Sequence, residues 1–141
     1  MGSEEALIRF RLDPRTGVPP YRQLVDQVAQ AVRLGLLHPG DRLPSVREVV
    51  TQISINPNTV HRAYREMETA QLVEGRPGLG TFVVDSVVPS TTPKRTAALQ
   101  QELRQWVVKA QRAGVDEEGI RGLLAEAIRE NEAKRGKRVD G

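Results

Sequence analysis

The 141-residue sequence predicts a mainly α chain carrying one small β-hairpin. Three observations predict it. Apolar residues recur at helical spacing in three stretches before residue 70 and in two after residue 97. Two of the first three helices carry explicit start signals. Extended character with turn residues at its centre is confined to the region around Pro77-Gly78-Leu79-Gly80.

Along the chain, residues 7–12 (Leu-Ile-Arg-Phe-Arg-Leu) alternate well enough for a short strand, and the turn-like Asp13-Pro14-Arg15-Thr16-Gly17 follows. Tyr21, Leu24, Val25, Val28, Ala31 and Val32 then mark a first helix over about residues 20–35, with Pro20 suited to its first turn. His38-Pro39-Gly40-Asp41 forces a loop. Ser45-Val46-Arg47-Glu48 is a capping box, and Val46, Val49, Val50 and Ile53 supply the buried side of a short second helix. Asn56-Pro57 pairs an N-cap residue with a proline at the first helical position, where a missing N–H costs nothing. The stripe of this third helix is Val60, Ala63, Tyr64 and Met67. Two short, separately capped helices a few residues apart make a helix-turn-helix. Residues 72–76 and 81–84 would pair as a hairpin, the wing.

A Pro/Ser/Thr-rich stretch over 85–96 reads as a linker. Beyond it, Leu99, Leu103, Trp106, Val107 and Ala110 form one helical stripe ending near Gly114. Asp116 can cap a second helix with the stripe Ile120, Leu123, Leu124, Ala127 and Ile128. Such an αα-hairpin is too thin to bury both stripes, and a second copy would complete it. The expected division is therefore a winged helix-turn-helix over 1–84, the linker, a two-helix dimerisation module over 97–134 and a disordered basic tail over 135–141. No internal repeat is present.

Composition narrows the function class. The net charge of +3 is compatible with a polyanionic partner, but residues 20–84 carry seven basic against six acidic groups and residues 94–138 eleven against seven. Net charge alone thus does not locate a binding half. The absence of cysteine removes disulfides, thiolate metal sites and thiol nucleophiles. No apolar run approaches the roughly 20 residues of a membrane span and no signal-peptide core is visible, so a soluble cytoplasmic protein is expected. His38 and His61 are the two histidines and share no metal-ligand spacing. With no nucleophile–base pair and no phosphate-binding glycine motif, neither an enzyme nor a metal or cofactor site is expected.

With Val60 at the centre of the buried face and about 100° per residue, Asn58, Arg62 and Arg65 fall on the opposite side of the third helix. Thr59 and Glu66 flank them and His61 lies nearer the edge. Arginine bonds guanine and asparagine bonds adenine in bidentate fashion, while hydroxyls and helix-end N–H groups hold phosphates. Judged from the helix alone, this face is equally a solvated surface with a capping asparagine. Arg47 lies one turn into the second helix, and Ser45 and Asn56 stand at the two helix starts. Arg42 lies in the preceding loop, where it could instead pair with Asp41 or Glu48. Arg76 and Thr81 flank the wing, whose Gly78 and Gly80 let the backbone approach a groove closely or merely shape the turn.

Taken in order, Pro39-Gly40-Asp41-Arg42-Leu43-Pro44-Ser45-Val46-Arg47-Glu48, Asn56-Pro57-Asn58-Thr59-Val60 with Arg62-Ala63-Tyr64-Arg65, and Gly78-Leu79-Gly80-Thr81-Phe82-Val83 resemble the signature of GntR-type bacterial regulators. Three motifs in sequence between residues 39 and 83 are far more specific than one helix-turn-helix. The resemblance implies DNA contacts by Arg47, Asn58, Thr59, Arg62 and the wing glycines. Many family members carry a basic residue where Pro57 stands, some carry arginine in place of His61, and Gln71 replaces a usual glycine. The short C-terminal module resembles the YtrA-like branch, in which a two-helix tail dimerises. The expectation is a sequence-specific repressor that binds a two-fold-symmetric double-stranded operator as a homodimer. A protein-docking winged helix is the alternative, and it would carry an uncharged or acidic third-helix face. A small-molecule effector at the dimer interface is a subsidiary expectation without a pocket signature, since Trp106 on an apolar stripe fits core or interface better than a ligand cage.

Overall fold

The structure, a computed structural model, describes residues 8–140. It divides into two compact units, one up to Thr96 and one from Ala97 onward. The first unit contains α1 (Pro20–Arg33), α2 (Val46–Ile53), α3 (Pro57–Thr69) and the antiparallel pair β1 (Val73–Arg76) and β2 (Gly80–Val83). Two further helices follow, α4 (Pro93–Arg112) and α5 (Glu117–Asp140).

The apolar stripes predicted from spacing form the core of the first unit. Leu24 and Val28 of α1, Val49 of α2, and Val60, Ala63 and Met67 of α3 are completely buried, with Leu37, Leu43, Val73 and Val83 closing the cluster. Burying one such side chain contributes about 1.5–3 kcal/mol, which fixes α1 across α3. Tyr64 is also buried and donates its hydroxyl to the Pro44 carbonyl, so no polar atom is stranded. Burial, with Glu48 nearby, holds its phenol in the neutral form well beyond the ordinary tyrosine range.

Both expected helix starts are in place. Ser45 Oγ accepts the Glu48 N–H at 3.1 Å while the Glu48 carboxylate accepts the Ser45 N–H at 3.1 Å. Asn56 Oδ1 accepts the Asn58 N–H at 2.8 Å ahead of Pro57. The turn between the two helices passes through Ser54 in the left-handed region (φ 51°). Gln71, at φ 61°, holds the left-handed conformation that glycine adopts without strain.

Three sequence expectations are corrected. Residues 8–12 form no strand; Leu7 lies outside the described residues. Glutamine side chains on α1 take the place of a neighbouring strand. The Arg11 N–H donates to Gln27 Oε1 and Gln27 Nε2 donates back to the Arg11 carbonyl, while Gln23 does the same for Asp13. A primary amide carries the same donor and acceptor as a peptide group, so two glutamines one turn apart satisfy the segment. Second, α4 begins inside the stretch read as a linker. Thr92 Oγ1 accepts the Arg95 N–H ahead of Pro93, and the buried Thr96 donates its hydroxyl to the Leu34 carbonyl at 2.6 Å. Gly35 allows this close approach, because a Cβ there would lie 2.7 Å from the Thr91 carbonyl oxygen. Third, α5 continues to Asp140 through the stretch read as a disordered tail; Gly141 lies outside the described residues. Unbroken backbone hydrogen bonding from α5 extends through a run with no proline to end it.

In the second unit Asp116 Oδ1 accepts the Gly119 N–H at 2.9 Å, as a helix cap should. The turn of this αα-hairpin buries Ala110 and half-buries Val115. Away from the turn α4 and α5 pack little on each other, and their apolar stripes stay largely uncovered.

Candidate nucleic-acid interface

The face of α3 opposite its buried stripe is built by the cap and the period together. Asn56 starts the helix, so Asn58 occupies its first turn and Arg62 and Arg65 follow one and two turns later. Asn58, His61, Arg62 and Arg65 are all exposed and Thr59 is half-buried. The Arg65 side chain makes no hydrogen bond or ion pair with any described residue. Arg47, exposed in the first turn of α2, is equally unengaged among the described residues. These two guanidinium groups are available to an anionic partner without breaking an internal contact.

Arg62 is placed differently. Its guanidinium carbon lies 3.8 Å from the centre of the Tyr21 ring, at the start of α1. Pro19, Pro20 and Tyr21 from α1 and Asn58, Thr59 and Arg62 from α3 line an open cleft of about 540 Å³. The sequence reading assigned Tyr21 to the core stripe and missed this role. Its position in the first turn, at the partly buried end of the α1 stripe, was the available signal. Arg22, the next residue, reaches Glu66 of α3 at 3.7 Å.

Two other predicted contacts are engaged internally. Arg42 lies 3.5 Å from Glu48 and donates to the Leu43 carbonyl at 3.2 Å, the pairing its sequence position allowed. Its backbone also bridges to Phe82, so residues 41–43 extend the wing sheet through Leu43 N–H to Thr81 O and Val83 N–H to Asp41 O. Arg76 is bonded to Glu74 at 2.9 Å and stacks 4.4 Å from the Phe82 ring. Ser45 Oγ and Asn56 Oδ1 are occupied as caps. The wing turns through the three residues Pro77, Gly78 and Leu79, with Gly78 at φ 76°. Thr81 is half-buried behind it and Leu79 is 69% exposed at its tip. Among the described residues no cluster of acidic or imidazole groups could hold a metal ion, and no helix is long and apolar enough to cross a membrane.

A helix-turn-helix closed by a β-wing, with asparagine and arginine on the open face of its second helix, defines a DNA-binding protein of the winged-helix class. The comparisons with known proteins refine this. Residues 20–83 match the model of bacterial regulatory proteins of the gntR family. The chain is similar to the HTH-type transcriptional repressor YtrA of Bacillus subtilis, at 34% identity over 117 residues, which are 83% of this chain and 90% of that protein. It is also similar to the HTH-type transcriptional regulator Rv1152 of Mycobacterium tuberculosis, at 49% identity over 74 residues, 52% of this chain and 61% of that one. Among solved structures, a protein described as a transcriptional antiterminator from Listeria monocytogenes superposes with a TM-score of 0.56 at 30% identity, over 86% of this chain and 91% of that one. A transcriptional regulator from Oenococcus oeni superposes with a TM-score of 0.50 at 33% identity, over 83% and 97%. The chain belongs to the GntR family, and it is a DNA-binding transcriptional regulator rather than an enzyme.

Proposed function

We propose that the protein is a homodimeric repressor that lays α3 of each subunit in the major groove of one half of a two-fold-symmetric operator. The observation that carries this reading is the separation of faces on α3, with Val60, Ala63 and Met67 buried and Asn58, Arg62 and Arg65 exposed. Asn58 and Arg62 read base edges, while Thr59, Arg47, Arg65 and the wing backbone at Gly78 and Gly80 hold phosphate and sugar. Arg42 and Arg76 shape the loop and the wing through their carboxylate partners and contribute less to DNA directly. An electroneutral or acidic α3 face, as a protein-docking winged helix would carry, is not what these residues present.

Dimerisation is assigned to the second unit, because Leu103, Trp106, Leu123, Leu124 and Ile128 leave apolar surface that a second copy would cover. Two subunits then place their reading helices about one helical turn, ~34 Å, or a multiple apart. Repression follows from occupying a promoter that polymerase needs, and the Bacillus subtilis relative is itself named a transcriptional repressor. A ligand that is chromosomal DNA puts the protein in the cytoplasm. A small-molecule effector would act through the dimer interface.

The test is a titration against DNA from the protein's own promoter region, with random duplex as control, at two salt concentrations. Promoter affinity more than about tenfold above random DNA, falling steeply with salt, is expected. Failure to bind any duplex at low salt would return the docking reading. Sedimentation of the free protein should report a dimer.

A further inference from the structure

Base reading by an arginine requires its guanidinium to be held in place while its N–H groups stay unused. A carboxylate holder takes some of the guanidinium's five N–H donors and offsets its charge, leaving fewer of them for a guanine edge. An aromatic ring attracts the cation through its face and leaves every N–H donor open. Arg62 is held in the second way. Its guanidinium lies 3.8 Å from the Tyr21 ring centre, and no carboxylate among the described residues pairs with it. Glu66 stands one turn further along α3, at the spacing that pairs side chains on a helix, and Arg22 engages that carboxylate at 3.7 Å.

The ring itself is well anchored. Pro19 and Pro20 restrict the backbone entering α1, and Tyr21 is half-buried against the core. The open cleft of about 540 Å³ beside it is lined by these residues and by Asn58, Thr59 and Arg62, so the base-reading groups border space that the protein leaves empty.

We propose that Tyr21 is a specificity-determining positioning residue, which presents Arg62 to a base edge by cation–π stacking while Arg22 keeps Glu66 from neutralising it. The inference rests on the reading of Arg62 as a base reader. Tyr21 acts through Arg62 and contributes to discrimination between sequences, with little effect on affinity for DNA in general.

The experiment uses the full-length chain and a duplex that the wild-type protein selects from a randomised pool, with a scrambled duplex of the same composition as control. Tyr21→Phe keeps the ring and should keep the selected-to-scrambled affinity ratio within twofold. Tyr21→Leu and Tyr21→Met remove the ring while retaining apolar volume, and each should lower that ratio by about three- to tenfold with scrambled binding unchanged. In the Arg62→Ala background either change should have no further effect. Thermal melting of each variant identifies a folding defect, and the methionine variant carries the test should leucine unfold. Equal losses on both duplexes, or the same loss with Arg62 absent, would overturn the proposal. Arg62→Ala weakening both duplexes alike would instead overturn the reading beneath it. A ratio that falls for Arg62→Ala but not for either aliphatic variant removes Tyr21 alone.

Discussion

In α1 the stripe Leu24, Val25, Val28 and Val32 is at most 5% exposed, whereas in α4 and α5 Leu103, Trp106, Leu123 and Ile128 are 36–51% exposed. Apolar residues recur at helical spacing in both regions, so the difference lies in what each helix meets. The α1 stripe packs across α3 in a core that also takes side chains from α2, the wing and the connecting loops. Within the second unit the α4 and α5 stripes have only each other, and two helices touching at a turn cannot surround an apolar face. The first unit is thus a complete fold by itself. The second holds unrealised burial of about 1.5–3 kcal/mol for each large apolar side chain, which association can recover.

The strongest way to break this comparison is to make the uncovered stripe charged. Leu103→Glu with Leu124→Glu should give a monomer by sedimentation, with operator affinity reduced on the order of 10²–10⁴-fold through loss of the second half-site. Persistence of the dimer would show that some other surface joins the subunits. The closed core should respond in a different currency. Leu24→Ala should destabilise the first unit by about 2–5 kcal/mol in urea unfolding, as cavities in a filled core do. A cost under about 1 kcal/mol would mean that α1 is not enclosed as described.

A smaller effect belongs to the binding face. Arg62→Ala should cost roughly 1–3 kcal/mol on operator DNA and flatten discrimination between sequences, read from titrations on matched and mutated sites. The smallest is local. Gln71→Gly should raise the thermal midpoint, being worth about 1 kcal/mol, because glycine relieves the left-handed strain at φ 61°. An unchanged or lower midpoint would place the compensation for that strain elsewhere in the α3–β1 turn.

Much of the first unit was legible before any coordinates. Ser45 with Glu48 and Asn56 with Pro57 mark helix starts because the chemistry of capping is local, needing only residues within three positions. The buried side of α3 followed from period alone, and with it the opposite face that carries Asn58, Arg62 and Arg65. The alternation in residues 8–12 suggests a strand, but Arg11 and the following Asp13 bond instead to Gln27 and Gln23, sixteen and ten positions away. Thr92-Pro93 was a local start signal of the same kind as Asn56-Pro57, hidden within a stretch whose composition reads as linker. Arg76 illustrates the same limit from the charged side. Glu74 lies two positions away on the same strand face and was a visible partner, while the Phe82 ring comes from across the hairpin.

The sequence by itself determined the helices of the first unit and their starts, which faces are apolar and which family the motifs resemble. These properties depend on residues within a turn or two of one another, so spacing encodes them. Only the tertiary structure decided which exposed cations are engaged: among the described residues Arg47 and Arg65 stand unengaged, Arg42 and Arg76 meet carboxylates, and Arg62 is held on Tyr21. An arginine's availability depends on what lies within about 4 Å of its guanidinium, and for Arg62 that neighbour comes from a helix some forty residues earlier in the chain.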